Sequence, residues 1–118
     1  MIDTEQFIQL LKNDDTEQLN LIYIKYNCKE NIDFEKVYQE IKDEKNGSVL
    51  NMLGYMYHIG KYVEQNYSKA LEYYLLSAEQ NNAYAQNNIG FMYKTGKGVE
   101  QDYSKALKYY ILSAEQNN

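Results

Sequence analysis

Residues 47–82 read GSVLNMLGYMYHIGKYVEQNYSKALEYYLLSAEQNN, and residues 83–118 read AYAQNNIGFMYKTGKGVEQDYSKALKYYILSAEQNN. Aligned without a gap, the two blocks match at 23 of 36 positions, so they form a tandem repeat. A period in the mid-thirties is typical of a helix pair that stacks on its neighbours, since it is too long for a heptad and too short for a propeller blade. The repeat predicts an all-α, right-handed solenoid of antiparallel helix pairs, about six to seven helices in all.

The first half of each repeat has the periodicity of a helix. A glycine lies on its apolar face in both copies, Gly54 and Gly90. Because glycine inside a helix costs roughly 1 kcal/mol relative to alanine, its use at one repeat position predicts the close approach of a neighbouring helix. The expected neighbours are small residues of the second helix: Ala70, Ala78, Ala106 and Ala114.

Polar and glycine residues mark the boundary between the two helices of each repeat. Gly60 and Gly96 follow the first periodic run and fit a left-handed C-terminal cap. Asn66 and Asp102 precede the YSKAL sequence, where a short polar side chain can accept a backbone N–H and cap the second helix. We therefore expect a tight turn followed by a capped helix in both copies.

The second helix is predicted to cover Tyr67–Gln80 and, in the next copy, Tyr103–Gln116. Asn81 and Asn117 can adopt the left-handed conformation that ends it. The predicted buried stripe of the first copy consists of Ala70, Leu71, Tyr74, Leu75 and Ala78.

Shorter amphipathic segments precede the repeats, and they suggest three domains: an N-terminal helical cap at 1–46 and repeats at 47–82 and 83–118. The predicted cap helices are Ile2–Asn13 with Asp3 or Thr4 as N-cap, Thr16 to about Asn27, and a segment from Ile32 or Asp33 that ends at Asn46-Gly47. The second and third also align weakly with a repeat, Phe34 lying under Tyr67. A degenerate repeat therefore remains an alternative to a plain cap.

Composition excludes several classes of function. A net charge of −5, with lysine as the only basic residue type besides one histidine, argues against a nucleic-acid partner. The N-terminus shows no basic leader and no long apolar run, so we expect neither a signal peptide nor a membrane partner. The single cysteine, Cys28, allows no intrachain disulfide and favours a reducing, cytoplasmic location.

The sequence shows no pattern typical of catalysis. His58 is the only histidine, and no His, Cys or carboxylate lies at ligand spacing from it, so we expect an exposed helix residue and no metal or cofactor. Gly96-Lys97-Gly98 lacks the rest of a phosphate-binding loop and is interpreted as a turn. The many tyrosines are attributed first to packing of the repeat. We therefore predict a non-enzyme.

The repeats resemble the Sel-one-like repeat, a relative of the tetratricopeptide repeat, whose pattern is small-x-x-x-Leu-Gly-x-x-Tyr-x-x-Gly-x-Gly-Val-x-x-Asp-x-x-Lys-Ala. The second copy fills it with Ala85, Ile89, Gly90, Tyr93, Gly96, Gly98, Val99, Asp102, Lys105 and Ala106. The first copy fills it with Leu53, Gly54, Tyr57, Gly60, Val63, Lys69 and Ala70. It departs from the pattern at Tyr62, where a glycine is expected, and at Asn66, where an aspartate is expected. Tyr62 would have to accept a positive φ.

This resemblance implies an α-solenoid scaffold or adaptor that binds a partner protein or peptide and catalyses nothing. One alternative is a structural or regulatory spacer of a longer protein. A weaker alternative is a small-molecule-binding or hydrolytic repeat protein, since cysteine-rich members of the family are said to bind penicillin-like compounds. Those members staple each repeat with a disulfide, which this chain cannot form.

Similarity to tetratricopeptide repeats implies that a peptide groove would follow the first helices, on the concave side facing away from the second helices. The predicted partner-binding residues are Asn51, Tyr55, His58, Asn87, Phe91 and Lys94. Asparagines at one repeat position could bond an extended backbone, and Tyr55 and Phe91 could give apolar contacts.

The last predicted helix has no later helix of this sequence to cover its outer face. The apolar residues expected to be uncovered are Leu107, Tyr110, Ile111 and Ala114. Such a strip usually marks a contact, so it predicts either a fragment of a longer array or a homodimer through the C-terminal helix.

Overall fold

The structure is a computed structural model that describes residues 2–25 and 32–116. Within those two ranges the chain forms seven helices and no strands. The helices are α1 (Thr4–Lys12), α2 (Thr16–Lys25), α3 (Phe34–Ile41), α4 (Gly47–Ile59), α5 (Tyr67–Glu79), α6 (Ala83–Thr95) and α7 (Tyr103–Gln116).

The two repeats are helix pairs that stack in chain order. Helix α4 packs along α5 and α6 packs along α7, while α5 and α6 form the contact between the repeats. The apolar core follows the same order, since Ala70, Leu71 and Tyr74 of α5 pack with Ile89 and Met92 of α6. The predicted all-α solenoid is confirmed.

The turns inside the repeats have the predicted caps. Gly60 and Gly96 have φ values of 74° and 73°, and each ends a first helix in the left-handed conformation. Asn66 accepts the backbone N–H of Lys69 at 3.0 Å, and Asp102 makes the equivalent bond in the second copy. Asn81 has a φ of 64° and Asn117 lies outside the described residues.

Tyr62 keeps the geometry of the glycine that it replaces. Its φ is 66°, close to the 75° of Gly98 in the second copy. The side chain packs against Tyr38 of α3, with ring centroids 5.4 Å apart, and its hydroxyl accepts a hydrogen bond from Gln39. Contacts with the cap therefore offset the cost of a left-handed tyrosine.

The N-terminal helices form a cap over the first repeat. Helix α1 begins at Asp3, whose side chain accepts the Gln6 backbone N–H in a reciprocal capping box, and it packs against α2, α3 and α4. Among the described residues α3 packs mainly on α1, and α2 and α3 do not form the close pair seen in the repeats. The choice between a plain cap and a degenerate repeat stays a prediction. Tyr26 and Cys28 lie outside the described residues.

The prediction that Asn46-Gly47 ends the third helix is wrong. Helix α3 already ends at Ile41, and Asn46 is instead the N-cap of α4, where its side chain accepts the N–H of Val49 at 2.9 Å. The amide group of Asn46 also donates to the carbonyl of Leu11 at 2.9 Å. One asparagine therefore caps α4 and connects it to the end of α1.

The glycine on each first helix is confirmed as a point of close approach, and two of the expected neighbours, Ala70 and Ala106, lie beside it. A methyl group on Gly54 would lie 2.6 Å from Cδ1 of Tyr74 and 3.1 Å from the backbone oxygen of Ala70. Gly90 faces Tyr110 in the same way. A tyrosine ring of the same repeat therefore comes closest to each glycine, with the backbone of the expected alanine next to it.

The prediction that Leu75 is buried is wrong. Its side chain is 36% exposed, whereas Leu71, one turn earlier, is 8% exposed. The contact with α6 runs through Ala70, Leu71 and Tyr74, so the buried stripe is narrower than the sequence pattern suggests.

Candidate protein-interaction surface

Half of the predicted groove residues form an exposed row on α6. Asn87, Phe91 and Lys94 are all exposed, and their spacing of four and three places them on one helix face. The Phe91 ring is 37% exposed, a large apolar surface between two polar side chains. We call these three residues the α6 row.

The matching residues of α4 do not form such a row. Asn51 is only 4% exposed, and its side-chain oxygen accepts a hydrogen bond from the amide of Asn88 at 3.0 Å. The prediction that Asn51 and Asn87 present paired amides to a ligand is therefore wrong. The second repeat accounts for the difference, because Asn88 of α6 lies against Asn51, whereas no described residue makes the equivalent contact with Asn87.

His58 and Tyr55 also differ from the expected arrangement. His58 was expected to be exposed and to face away from α5, but it is half-buried, and its Nδ1 lies 3.1 Å from the hydroxyl of Tyr74 on α5. Tyr55 is half-buried and packs against the core shared by α4 and the cap. These two side chains belong to the walls of the first repeat.

Burial controls the charge of His58. Desolvation, followed by the nearby charge of Lys97, lowers the pKa of the imidazole below its usual range. Burial, and then the proximity of Tyr55, raises the pKa of the Tyr74 hydroxyl, which therefore stays protonated. A neutral imidazole and a neutral hydroxyl thus share the hydrogen bond between α4 and α5.

Lys97 lies over the rings of Tyr67 and Phe91, and His58 packs against both of those rings. The Nζ of Lys97 is 5.4 Å from the ring centroid of Tyr67 and 5.4 Å from that of Phe91. The His58 ring lies 5.7 Å from the Tyr67 ring and 5.8 Å from the Phe91 ring. We call His58, Tyr67 and Phe91 the aromatic box. The sequence does not predict the aromatic box, because its rings lie on different helices. The one local signal is a lysine between two turn glycines, Gly96-Lys97-Gly98.

Other tyrosine and lysine contacts belong to the repeat framework. Lys69 lies 5.0 Å from the centroid of the Tyr57 ring, which stacks on Tyr73, and Lys105 with Tyr93 repeats this contact in the second copy. Because both copies contain the arrangement, it stabilises the helix pair and is not specific to one surface. This agrees with the attribution of most tyrosines to packing.

The C-terminal helix exposes a leucine at a repeat position that is buried in the first copy. Leu107 is 59% exposed, whereas its repeat equivalent Leu71, which α6 covers, is 8% exposed. Ile111 is 47% exposed and its equivalent Leu75 is 36% exposed, so that position changes little. Of the other predicted strip residues, Tyr110 packs on Gly90 and Ala114 is exposed.

The described residues contain neither a membrane-spanning helix nor a cluster of metal ligands. None of their helices has the length and apolar character that crossing a membrane requires. No group of three or more His, Cys, Asp or Glu side chains there could bind a metal ion.

Comparisons with solved structures identify similar repeat proteins. A Sel1 repeat protein from Oxalobacter formigenes is 32% identical, with a TM-score of 0.70 over 89% of this chain and 41% of that one. The protective antigen c5321 of uropathogenic Escherichia coli, described as having an SLR fold, is 26% identical, with a TM-score of 0.69 over 97% of this chain and 26% of that one. The chain therefore spans less than half the length of either protein.

A third solved structure supports the fold alone. Cysteine-rich protein B of Helicobacter pylori is 21% identical, with a TM-score of 0.70 over 98% of this chain and 89% of that one. No curated protein matches the chain. The sequence profile of the Sel1 repeat matches residues 48–82 and 83–118, which together make up more than half of the chain. The chain therefore belongs to the Sel1 repeat family.

Proposed function

We propose that the chain is a non-catalytic scaffold that binds a partner protein along the inner face of α6. The α6 row carries the proposal: Asn87, Phe91 and Lys94 lie exposed on one helix face in a family whose repeats typically serve as protein-interaction scaffolds. An exposed ring flanked by a hydrogen-bonding amide and a flexible cation is a common composition for a protein contact.

The difference between the two first helices supports this location. Phe91 of α6 and Tyr55 of α4 occupy the same repeat position, yet only Phe91 is exposed, because Tyr55 packs against the core that α4 shares with the N-terminal helices. A partner segment that runs along the inner face would therefore contact α6 first. The proposed groove is therefore shorter than the predicted one, which followed both α4 and α6.

Capture from a lysate of the native host, with the partner identified by mass spectrometry, tests the proposal. The combined change Asn87→Ala and Phe91→Ala should lower recovery of the specific partner by at least tenfold. Leu76→Ala is the matched control, because Leu76 is 47% exposed on α5, away from the α6 row. Equal recovery by both variants would contradict the proposed surface, and a spacer would recover no specific partner with any variant.

A second candidate function, self-association, is favoured by the exposure of Leu107. We propose that α7 of a second copy covers this residue, much as α6 covers Leu71 within the chain. Leu107→Lys should then shift the protein to the monomer in light scattering at several concentrations. Leu112→Lys is the control, because Leu112 and its repeat equivalent Leu76 are exposed to a similar extent, 45% and 47%. A monomer at every concentration would exclude the homodimer.

We also propose that the protein works in the cytoplasm, on the ground that its single cysteine suits a reducing compartment. Fractionation of the native host tests this location. Recovery of the protein mainly outside the cytoplasmic fraction would contradict it.

A further inference from the structure

The aromatic box contains a cation that comes from its own chain. Among the ion pairs of the described residues none involves Lys97, and the contacts of its ammonium are with the Tyr67 and Phe91 rings. Ring faces carry negative electrostatic potential, so they attract a positive charge. The box is therefore built for a cation, and the structure shows one in place.

Gly98 explains why Lys97 reaches this box. With a φ of 75°, Gly98 lets the α6–α7 turn approach α5 so closely that an added methyl group would lie 2.9 Å from the backbone oxygen of Tyr67. In the first copy Tyr62 replaces this glycine, and the equivalent lysine, Lys61, is exposed. The contact thus belongs to the second repeat alone and is not a general feature of the framework.

The box is open to solvent and adjoins the α6 row. Phe91 belongs to both, is 37% exposed, and Lys97 is only half-buried. A cation–π contact at an exposed site is weak, so the ammonium of Lys97 can exchange with water or with another cation. The lowered pKa of His58 keeps its imidazole neutral at neutral pH. Among the described residues, Lys97 is then the only positive charge in contact with the rings of the aromatic box.

We propose that the aromatic box binds the side-chain cation of a lysine or arginine in the partner segment, and that Lys97 occupies the same place until the partner binds. This inference rests on the proposed function, since Phe91 is shared with the α6 row, and it adds the chemistry of the partner. Lys97 then competes with the cation of the partner for the aromatic box. Removing Lys97 should strengthen binding of a cationic side chain, whereas removing the Phe91 ring should weaken it.

Three blocked tripeptides with one variable residue test the inference: glycine-lysine-glycine, glycine-norleucine-glycine and glycine-glutamate-glycine. Norleucine keeps most of the hydrocarbon of lysine without its charge. Titration followed by NMR signals of the His58 and Phe91 rings should show binding of the lysine peptide only. Lys97→Ala should lower its dissociation constant about three- to tenfold, and Lys61→Ala, the matched control, should leave it unchanged. Phe91→Leu in the Lys97→Ala background should abolish binding while thermal unfolding confirms the fold.

Equal binding of the norleucine and lysine peptides would show that the aromatic box is a plain apolar pocket. Preference for the glutamate peptide would show that Lys97 binds an anion. Either result overturns the inference. Weaker lysine binding by the Lys97→Ala variant would also overturn it. Partner capture that depends on Phe91, together with failure of the lysine peptide, would remove this inference and leave the proposed function in place. Lysine-peptide binding without partner capture would support the box and contradict the scaffold.

Discussion

Gly54 and Gly90 occupy the same repeat position, but we expect Gly54→Ala to destabilise the protein and Gly90→Ala to change its stability little. A methyl group on Gly54 would lie 2.6 Å from Cδ1 and 2.7 Å from Cε1 of Tyr74. Tyr74 is fully buried, and its hydroxyl is hydrogen-bonded to His58, so the ring cannot move aside without losing that bond. At Gly90 both distances to the Tyr110 ring are 3.0 Å, and that ring is only half-buried.

The expected magnitudes follow from two opposing effects. Overpacking a core typically costs about 1–3 kcal/mol, whereas replacing glycine by alanine inside a helix gains roughly 1 kcal/mol. Because Tyr74 is fixed, the first effect dominates at Gly54, and the free energy of unfolding should fall by about 1–2 kcal/mol. Because Tyr110 can shift, the two effects nearly cancel at Gly90.

Urea denaturation of the wild type and both variants measures this difference. The transition midpoint should fall for Gly54→Ala at an unchanged m-value, and the midpoint of Gly90→Ala should stay close to that of the wild type. Two variants of equal stability, or a Gly54→Ala variant more stable than Gly90→Ala, would refute the reasoning. The close packing of Tyr74 would then not be a constraint on the fold.

Three further predictions concern single contacts. The lowered pKa of His58 means that the unfolded chain binds a proton more readily than the folded chain, so the free energy of unfolding decreases as the pH falls through the unfolded pKa near 6.5. In urea denaturation, the stability advantage of the wild type over His58→Gln should therefore shrink between pH 8 and pH 5. An advantage that grows over this range would contradict the prediction. Ser77→Ala should cost about 1 kcal/mol in urea denaturation, because its buried hydroxyl donates to the Gly47 carbonyl at 2.6 Å; no loss would contradict this. Asn66→Ala should lower thermal stability by about 1 kcal/mol through loss of a helix cap, with Asn66→Asp as the control, and a loss equally large for the aspartate would refute the capping role.

Much of the repeat could be predicted because its signals are local. Left-handed glycines and short polar caps act within one turn of the chain, so Gly60, Gly96, Asn66 and Asp102 all have their predicted roles. Asn46 was misassigned because an Asn-Gly pair can end one helix or begin the next. Its bond to Leu11, 35 residues away, accompanies its role as the N-cap of α4.

The candidate site was only partly predictable, since its exposure depends on distant contacts. Asn51 and Asn87 are the same residue at the same repeat position, yet the first is buried and the second exposed. The difference comes from the neighbouring repeat, because Asn88 of α6 contacts Asn51 and Asn87 has no such neighbour among the described residues. The aromatic box requires rings from α4, α5 and α6 to meet beside the α6–α7 turn, and spacing along one helix does not report such a meeting.

The central claim is that a partner protein contacts the inner face of α6. A photoreactive phenylalanine analogue placed at position 91 in the native host tests it most directly, because crosslinking reports contact in the cell. The same analogue at position 76, an exposed leucine on α5, is the control. We expect a specific crosslinked protein from position 91 and none from position 76. Crosslinks from position 76 alone would contradict the claim.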